Sequence, residues 1–232
     1  GKCCFPDMLN DEARQWFGDK YRILIDKGID GFWNDMNEPA IFYSEKHLKE
    51  VFEKMEDYKT MNLDVNTFSE MTGMIGSISN NPEDYASFYH NYRGKHYRHD
   101  QVHNLFGYYM TRSASEAFER YVPEKRILLF SRASYIGMHR FGGIWQGDNA
   151  SWWSHLKMNV KMMPSLNMCG FLYTGADVGG FGADATEDLV LRWLEFAVFT
   201  PLLRNHSAKG TRRQEVYRFS HVVGMFVTSR KA

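Results

Sequence analysis

The 232-residue sequence has little cysteine, no long apolar run and no excess of either charge, and each shortage removes a class of protein. Its three cysteines, two of them adjacent at Cys3 and Cys4, do not make a disulfide framework. No CxxC pair or His/Cys cluster has zinc spacing, so no metal is expected, and a reducing, cytoplasmic compartment fits best. No stretch of 18 apolar residues exists, so no segment is expected to span a bilayer. The 28 basic and 28 acidic side chains cancel, which makes nucleic acid and an anionic membrane surface poor partners. There are no internal repeats and no low-complexity tract. The opening GKCCFPD resembles neither a signal peptide nor an initiator and reads like the interior of a longer chain.

What the chain has in quantity is aromatic side chains, 16% of the residues. Trp and Tyr pair a flat apolar face with a polar tip, which suits sugar rings and ordinary cores alike. Along the sequence, Asn10 can cap a helix whose apolar face is Ala13, Trp16, Phe17, Tyr21 and Leu24, ended by Gly28. A short apolar run, Ile29 to Trp33, then closes on polar Asn34 and Asp35. The pattern recurs at 126–130 before Arg132, at 143–146 before Asp148, at 169–174 before Asp177, and at 199–203 before His206. Helical stretches separate the runs at 100–120, at 150–162 with Pro164 after it, and at 186–197. Alternating strands and helices predict a parallel sheet with crossover helices. Residues 44–99 break the rhythm and read as an insertion, a lid or small subdomain, with a helix begun by Asn81 and Pro82.

Five strands are countable, whereas a closed (β/α)8 barrel needs eight and takes roughly 250 residues. The expectation is therefore a partial (β/α)8 TIM barrel, about strands 4 to 8, over residues 1–218, with a divergent or truncated tail over 219–232. An open doubly wound sheet is the alternative, but GADVGGFGAD matches neither GxGxxG nor GK[ST].

In a barrel the C-terminal strand ends share one mouth, so Asp35, Arg132, Asp148, Asp177 and His206 are expected to converge. Two carboxylates flanking one bond are what glycoside hydrolysis requires, and Asp35 and Asp148 are candidates. Trp33 and Trp145 could wall the pocket and raise the pKa of a neighbouring acid by excluding water. Glu38 rivals Asp35 on chemistry alone, and Asp148 could equally cap the helix that carries Trp152 and Trp153. His99, His103 and His139 read as ordinary structural histidines, and the stretch MNVKMMPSLNM as core filling.

GFWNDMNEPAIF is similar to the nucleophile signature of glycoside hydrolase family 31. RASYIGMHRFGGIWQGDNASWW resembles that family's acid/base region, and LYTGADVGGF and FTPLLRNHSAKGTRRQE resemble two further blocks in the expected order. The resemblance runs from Pro6 to about Tyr217 and weakens across 44–99. It implies Asp35 as nucleophile, Asp148 as general acid/base and Arg132 as a subsite arginine. It further implies that Trp33, Met36, Trp145 and Phe181 line a glucose pocket, and that Asp177 and His206 contact the sugar or its neighbours. The implied activity is that of a retaining α-glucosidase on oligosaccharides, acting by double displacement without a cofactor. Alternatives are α-xylosidase, α-galactosidase or α-glucan lyase action, or an inactive sugar-binding fragment. Five strands without the other three would leave two unpaired edges, so the chain alone is expected to be poorly soluble and inactive.

Overall fold

The computed structural model describes residues 3–219 together with Val222 and Gly224. The expected tail, 219–232, therefore lies almost wholly outside the described residues. In chain order the elements are α1 (Asp11–Lys20), α2 (Arg22–Ile25), β1 (Gly31–Asn34), α3 (Glu45–Tyr58), α4 (Val65–Gly76), α5 (Pro82–Tyr85), β2 (Tyr89–Tyr92) and β3 (Lys95–Arg98). They continue with α6 (His99–Tyr121), β4 (Leu128–Ser131), β5 (Gly143–Trp145), α7 (Trp153–Met168), β6 (Thr174–Gly175), β7 (Asp177–Val178), α8 (Glu187–Ala197) and β8 (Arg204–Asn205).

β1, β4, β5 and β6 form a parallel sheet in that order, with Trp33 opposite Phe130, Ser131 opposite Ile144 and Trp145 opposite Gly175. After Ala176 the same stretch of chain changes partner, and β7 pairs in parallel with β8. Leu202 N donates to Thr174 O (3.2 Å), so the two sheets join along one strand interrupted at Ala176. Five parallel strand positions thus lie side by side in chain order, as a partial barrel requires.

Two of the expected strands are displaced. The fourth lies at 174–178 rather than 169–174, and the fifth at 204–205 rather than 199–203. In the predicted runs Leu172 and Phe199 are exposed, the latter at 87%. The real strand TGADV is buried along its length. Its small residues fit where the chain runs close to its neighbour, since a Cβ on Gly175 would sit 2.3 Å from Leu202 O.

The helices follow from their caps and faces. Asn10 accepts from Ala13 N and Thr186 from Leu189 N, each satisfying a donor that a helix start leaves unpaired. α8 buries Leu189, Val190, Trp193, Leu194 and Ala197 against Val178 and Leu156. Each such aliphatic side chain contributes about 1.5–3 kcal/mol when taken fully out of water. A second cluster joins Ile25, Ala114, Phe118 and Leu129, with Phe32 stacked on Phe118 at 5.2 Å. The predicted apolar face of the first helix is only partly its buried one, since Tyr21 packs on Phe32 and Phe118 and Phe17 packs on Tyr21. Trp16 and Leu24 are exposed, and Arg14 and Gly18 are buried against α6, where a Cβ on Gly18 would meet Ser113 O at 2.6 Å. Nor is the Met-rich stretch core filling. Pro164 lies inside α7, and of its methionines Met163 is buried while Met158, Met162 and Met168 are exposed.

The insertion holds α3, α4, α5 and the β2–β3 hairpin, so the helix begun at Asn81 is one turn long and gives way to a strand. It is tied to the rest of the chain. Asn80 Oδ1 accepts from Ile41 N and Tyr85 Oη lies 3.0 Å from Pro39 O, while buried His47 and Asp84 pair at 2.9 Å within the insertion itself.

Candidate active site

β1 ends at Asn34, and the chain turns at once. Met36 takes the left-handed conformation (φ 57°), and its N–H donates to Asp35 Oδ1 at 2.8 Å. A non-glycine residue there costs on the order of 1 kcal/mol and marks a turn held by its surroundings. The hold is visible. Buried Asn37 donates to Ser131 Oγ (2.8 Å) and accepts from Ala133 N (2.9 Å), lacing the turn after β1 to the end of β4.

Arg132 leaves the end of β4 and meets three acids. Its Nε donates to Glu38 Oε1 at 2.8 Å and its Nη2 to Oε2 at 3.3 Å. Its Nη1 donates to Asp35 Oδ1 at 3.3 Å and stands 3.8 Å from Asp148 Oδ2. Burial works against the guanidinium's charge, but the pair with Glu38 and the nearby Asp35 and Asp148 outweigh it and raise its pKa. Glu38, a rival on chemistry alone, is thus the two-pronged partner of Arg132, while Asp35 and Asp148 keep nearly half their side-chain surface open. Asp148 caps no helix: the first residue before α7 is Trp152, and no side chain caps it.

Trp33 and Trp145 pack edge to face at 5.1 Å, and the Arg204 guanidinium lies over both, 4.3 and 5.4 Å from the ring centres. Gly147 is required by this packing, since a Cβ there would sit 2.1 Å from the Trp145 ring. Trp145 Nε1 donates to Asp177 Oδ1 at 2.9 Å, and Arg204 Nη1 reaches the same oxygen at 3.5 Å. Asp177 is wholly buried, and its Oδ2 has no hydrogen-bond partner among the described residues. Burial pushes its pKa up to about 6, against the Trp145 hydrogen bond and Arg204, with Asp148 and Asp35 adding repulsion. The acid that is raised is Asp177, through its burial beneath Trp145 and Arg204 rather than at the surface of the mouth, and Trp145 itself acts against the rise.

Asn149 fixes Asp177 by both backbone groups, accepting from its N–H (3.0 Å) and donating to its C=O (2.9 Å). Buried Gln214 knots the neighbouring ends, donating to Gly180 O (3.0 Å) and His206 O (3.1 Å). His206 stacks on Phe181 at 5.1 Å, and burial, with Arg204 nearby, lowers its pKa. Met36 is 38% exposed beside Asp35. The structure therefore brings Asp35, Arg132 and Asp148 into contact through one cation. Trp33, Trp145 and Asp177 form a second group held by Arg204, and Phe181 and His206 a stacked pair. Sequence reasoning missed Arg204, Asn149, Asn37 and Gln214 as parts of the site. Asn149 stood in the GDN triplet and Arg204 at a strand end, the two available signals. Among the described residues no group of three or more His, Cys, Asp or Glu is placed to hold a metal ion. Nor is any helix among them long and apolar enough to cross a membrane. A wider concavity lined by Leu128, His139, Gly143 and Tyr173 lies at the opposite ends of the strands, away from these carboxylates.

Acids and aromatics gathered at the C-terminal ends of side-by-side parallel strands define part of a (β/α)8 barrel with a carboxylate-lined mouth. The profile of the glycosyl hydrolases family 31 TIM-barrel domain matches residues 1–231, and the chain belongs to that family. It is 34% identical to alpha-glucosidase 2 of Bacillus thermoamyloliquefaciens over 94% of its length, spanning 23% of that protein. It is 30% identical to a probable glucan 1,3-alpha-glucosidase of Oryza sativa subsp. japonica, over 94% of this chain and 20% of that one. Among solved structures it resembles the glucose complex of a Flavobacterium johnsoniae family 31 dextranase. The TM-score is 0.71 at 25% identity, covering 96% of this chain and 24% of that one. It also resembles the family 31 alpha-glucosidase of Bacteroides thetaiotaomicron, with a TM-score of 0.68 at 28% identity over 97% of this chain and 30% of that one. The chain thus spans between a fifth and a third of the length of these relatives.

Proposed function

We propose that this chain forms the catalytic part of a retaining α-glucosidase, which removes terminal non-reducing glucose from α-1,4- or α-1,6-linked oligosaccharides. The reading rests on one observation: a single nitrogen, Arg132 Nη1, is shared by Asp35 at 3.3 Å and Asp148 at 3.8 Å. That sharing limits how far apart the two oxygens can be. It is compatible with the about 5–5.5 Å carboxyl spacing of retaining enzymes, which supports that reading.

In this reading an Asp35 oxygen attacks the anomeric carbon while Asp148 protonates the departing glycosidic oxygen, giving a glucosyl ester on Asp35. Asp148, now a base, takes a proton from water, whose oxygen displaces Asp35 and releases glucose. Arg132 orients both acids, and Glu38 holds Arg132. Positive charge develops on the sugar in the transition state, and the mouth meets it with Asp35, Asp148 and Glu38 around one arginine. Trp33, Met36, Trp145, Phe181 and His206 line the sugar's position, while Asp177 supports Trp145 and Arg204 from below. The names of the relatives, α-glucosidases and a dextranase, support glucose as the sugar.

The test is Asp35→Gly in the protein as expressed, assayed on an aryl α-glucoside. A loss in kcat of about 10⁴-fold or more is expected, with azide restoring turnover as the glucosyl azide. Unchanged activity would remove Asp35 from the mechanism. Proton NMR of the first sugar released decides the stereochemistry, since β-glucose appearing first contradicts the double displacement. Maltose and isomaltose compared as substrates give the linkage.

A further inference from the structure

Behind the catalytic turn stands a line of hydrogen-bonded imidazoles that the proposed chemistry does not use. Asp7 Oδ1 meets His90 Nδ1 at 2.8 Å, His90 Nε2 meets His99 Nδ1 at 2.8 Å, and His99 Nε2 meets His103 Nδ1 at 2.8 Å. His90 and His99 are buried, at 2% and 0% exposure. His90 comes from the insertion's hairpin, and His99 and His103 lie one turn apart on α6. Each link between two imidazoles needs one proton and one lone pair, so the links cannot be set independently.

Asp7 decides the direction. Its oxygens already accept from Leu9 N (3.2 Å) and Asn91 N (2.7 Å), so the carboxylate is an acceptor toward His90 as well. A neutral His90 then carries its proton on Nδ1 and offers Nε2 as a lone pair. The same follows for His99 and then for His103. The far end of the line abuts the turn that bears Glu38. Tyr85 lies face to face with His99 (5.5 Å) and edge on to His103 (4.8 Å), and its hydroxyl lies 3.0 Å from Pro39 O. Gly107, one turn of α6 beyond His103, is so close to the same turn that a Cβ would sit 2.9 Å from Asn37 O.

We propose that Asp7, His90, His99 and His103 form a one-way tautomer relay that commits the proton of His103 to Nδ1, toward His99, and so leaves that ring no free N–H to offer the Glu38 turn, whose charge is left to Arg132. A charged imidazolium in that place would compete with Arg132 for Glu38, and Arg132 is what joins Asp35 to Asp148. Burial acts in the same direction. It lowers the His99 pKa to about 3, helped by His103 and His90 and opposed by Asp100, and it lowers that of His103 against the pull of Glu38. The four residues are positioning residues, acting through Glu38. The consequence for catalysis rests on the proposed function, whereas the relay itself does not.

The experiment is a long-range proton–nitrogen NMR correlation on this chain labelled with ¹⁵N-histidine, at neutral and mildly acidic pH. Nδ1–H with bare Nε2 is expected in all three rings; an Nε2–H in any of them, or an imidazolium at His99, overturns the relay. Two variants locate the anchor. In Asp7→Asn the amide can donate to His90, so Nε2–H signals are expected along the line. In His103→Gln the pattern at His90 and His99 is expected to persist. If His103→Gln scrambles the line and Asp7→Asn does not, the anchor is not Asp7 and the proposal falls. In the active protein Asp7→Asn is expected to lower kcat with KM unchanged within about twofold and to move the acid limb of the pH profile. An unmoved profile, with the tautomers changed, removes the catalytic consequence. Loss of the α-glucosidase reading leaves the tautomer result standing, so the two failures are distinguishable.

Discussion

Asp177→Asn tests whether the site carries stability costs that its chemistry requires. The Asp177 carboxyl is buried, with one oxygen unpaired, and its pKa stands at about 6 against an ordinary value of 3.8. A group whose folded pKa is raised binds a proton more tightly when folded, so the folded state loses stability as pH rises from about 4 to about 6. At 1.36 kcal/mol for each unit, the loss is about 3 kcal/mol once the carboxylate is fully ionised. His99 has the opposite sign. Its folded pKa is lowered, so stability rises with pH between about 3 and 6.5, and the two slopes overlap in the wild-type protein. Asparagine keeps the acceptor for Trp145 Nε1 and removes the ionisation. The measurement is urea unfolding of both proteins at pH 4 and pH 8. Relative to wild type, the variant is expected to gain about 3 kcal/mol between the two pH values. A stability difference that stays constant within about 0.5 kcal/mol would refute the assignment of that cost to Asp177.

Three further outcomes follow from the same contacts. Trp145→Phe removes the donor that favours the Asp177 carboxylate, so the window of pH-dependent stability should move upward; an unmoved window in the same unfolding series contradicts this. Asn149→Ala takes the Asn149 partner from the buried N–H of Asp177 and leaves its C=O with Gly180 N alone, and should cost about 1–3 kcal/mol in urea unfolding at pH 7, with a cost under about 0.5 kcal/mol counting against the clamp. Gly147→Ala drives a methyl into the Trp145 ring and should cost about 1–3 kcal/mol, whereas an unchanged midpoint would mean the ring yields freely.

The sequence made Asp35, Arg132 and Asp148 legible because each follows an apolar run, and runs of that kind end at the mouth of a parallel sheet. It misplaced the fourth and fifth strands because CGFLYT and FTPLL are the more hydrophobic stretches there. The true strands, TGADV and RN, contain small or polar residues whose partners are other polar residues of the site. Propensity is overruled where a strand serves the mouth. Glu38 was recognisable as a rival to Asp35 but not as the partner of Arg132, since the contact joins residues far apart in sequence. Asn149, Arg204 and Gln214 escaped for the same reason. Their hydrogen bonds are made to backbone or to buried acids, and a lone polar residue gives no sign of what it will face. His99 and His103 were read singly as structural and His90 drew no reading, and no spacing pattern shows that Asp7 aligns with them.

The long separation between β1 and its partner bears on the order of assembly. β1 pairs with β4 across the whole insertion and α6, whereas β5 meets β6, and β7 meets β8, after little more than one helix. Loop-closure entropy rises by about 0.6 kcal/mol for each doubling of length, and non-local pairings form late. The half bearing Asp148, Asp177 and Arg204 has its own core around Trp193 and Leu194, and can condense without β1. Asp35 is then the last of the mouth residues to arrive. A chain caught partway, in the cell or in refolding, presents Asp148 without Asp35, and their shared contact with Arg132 waits on the final docking step.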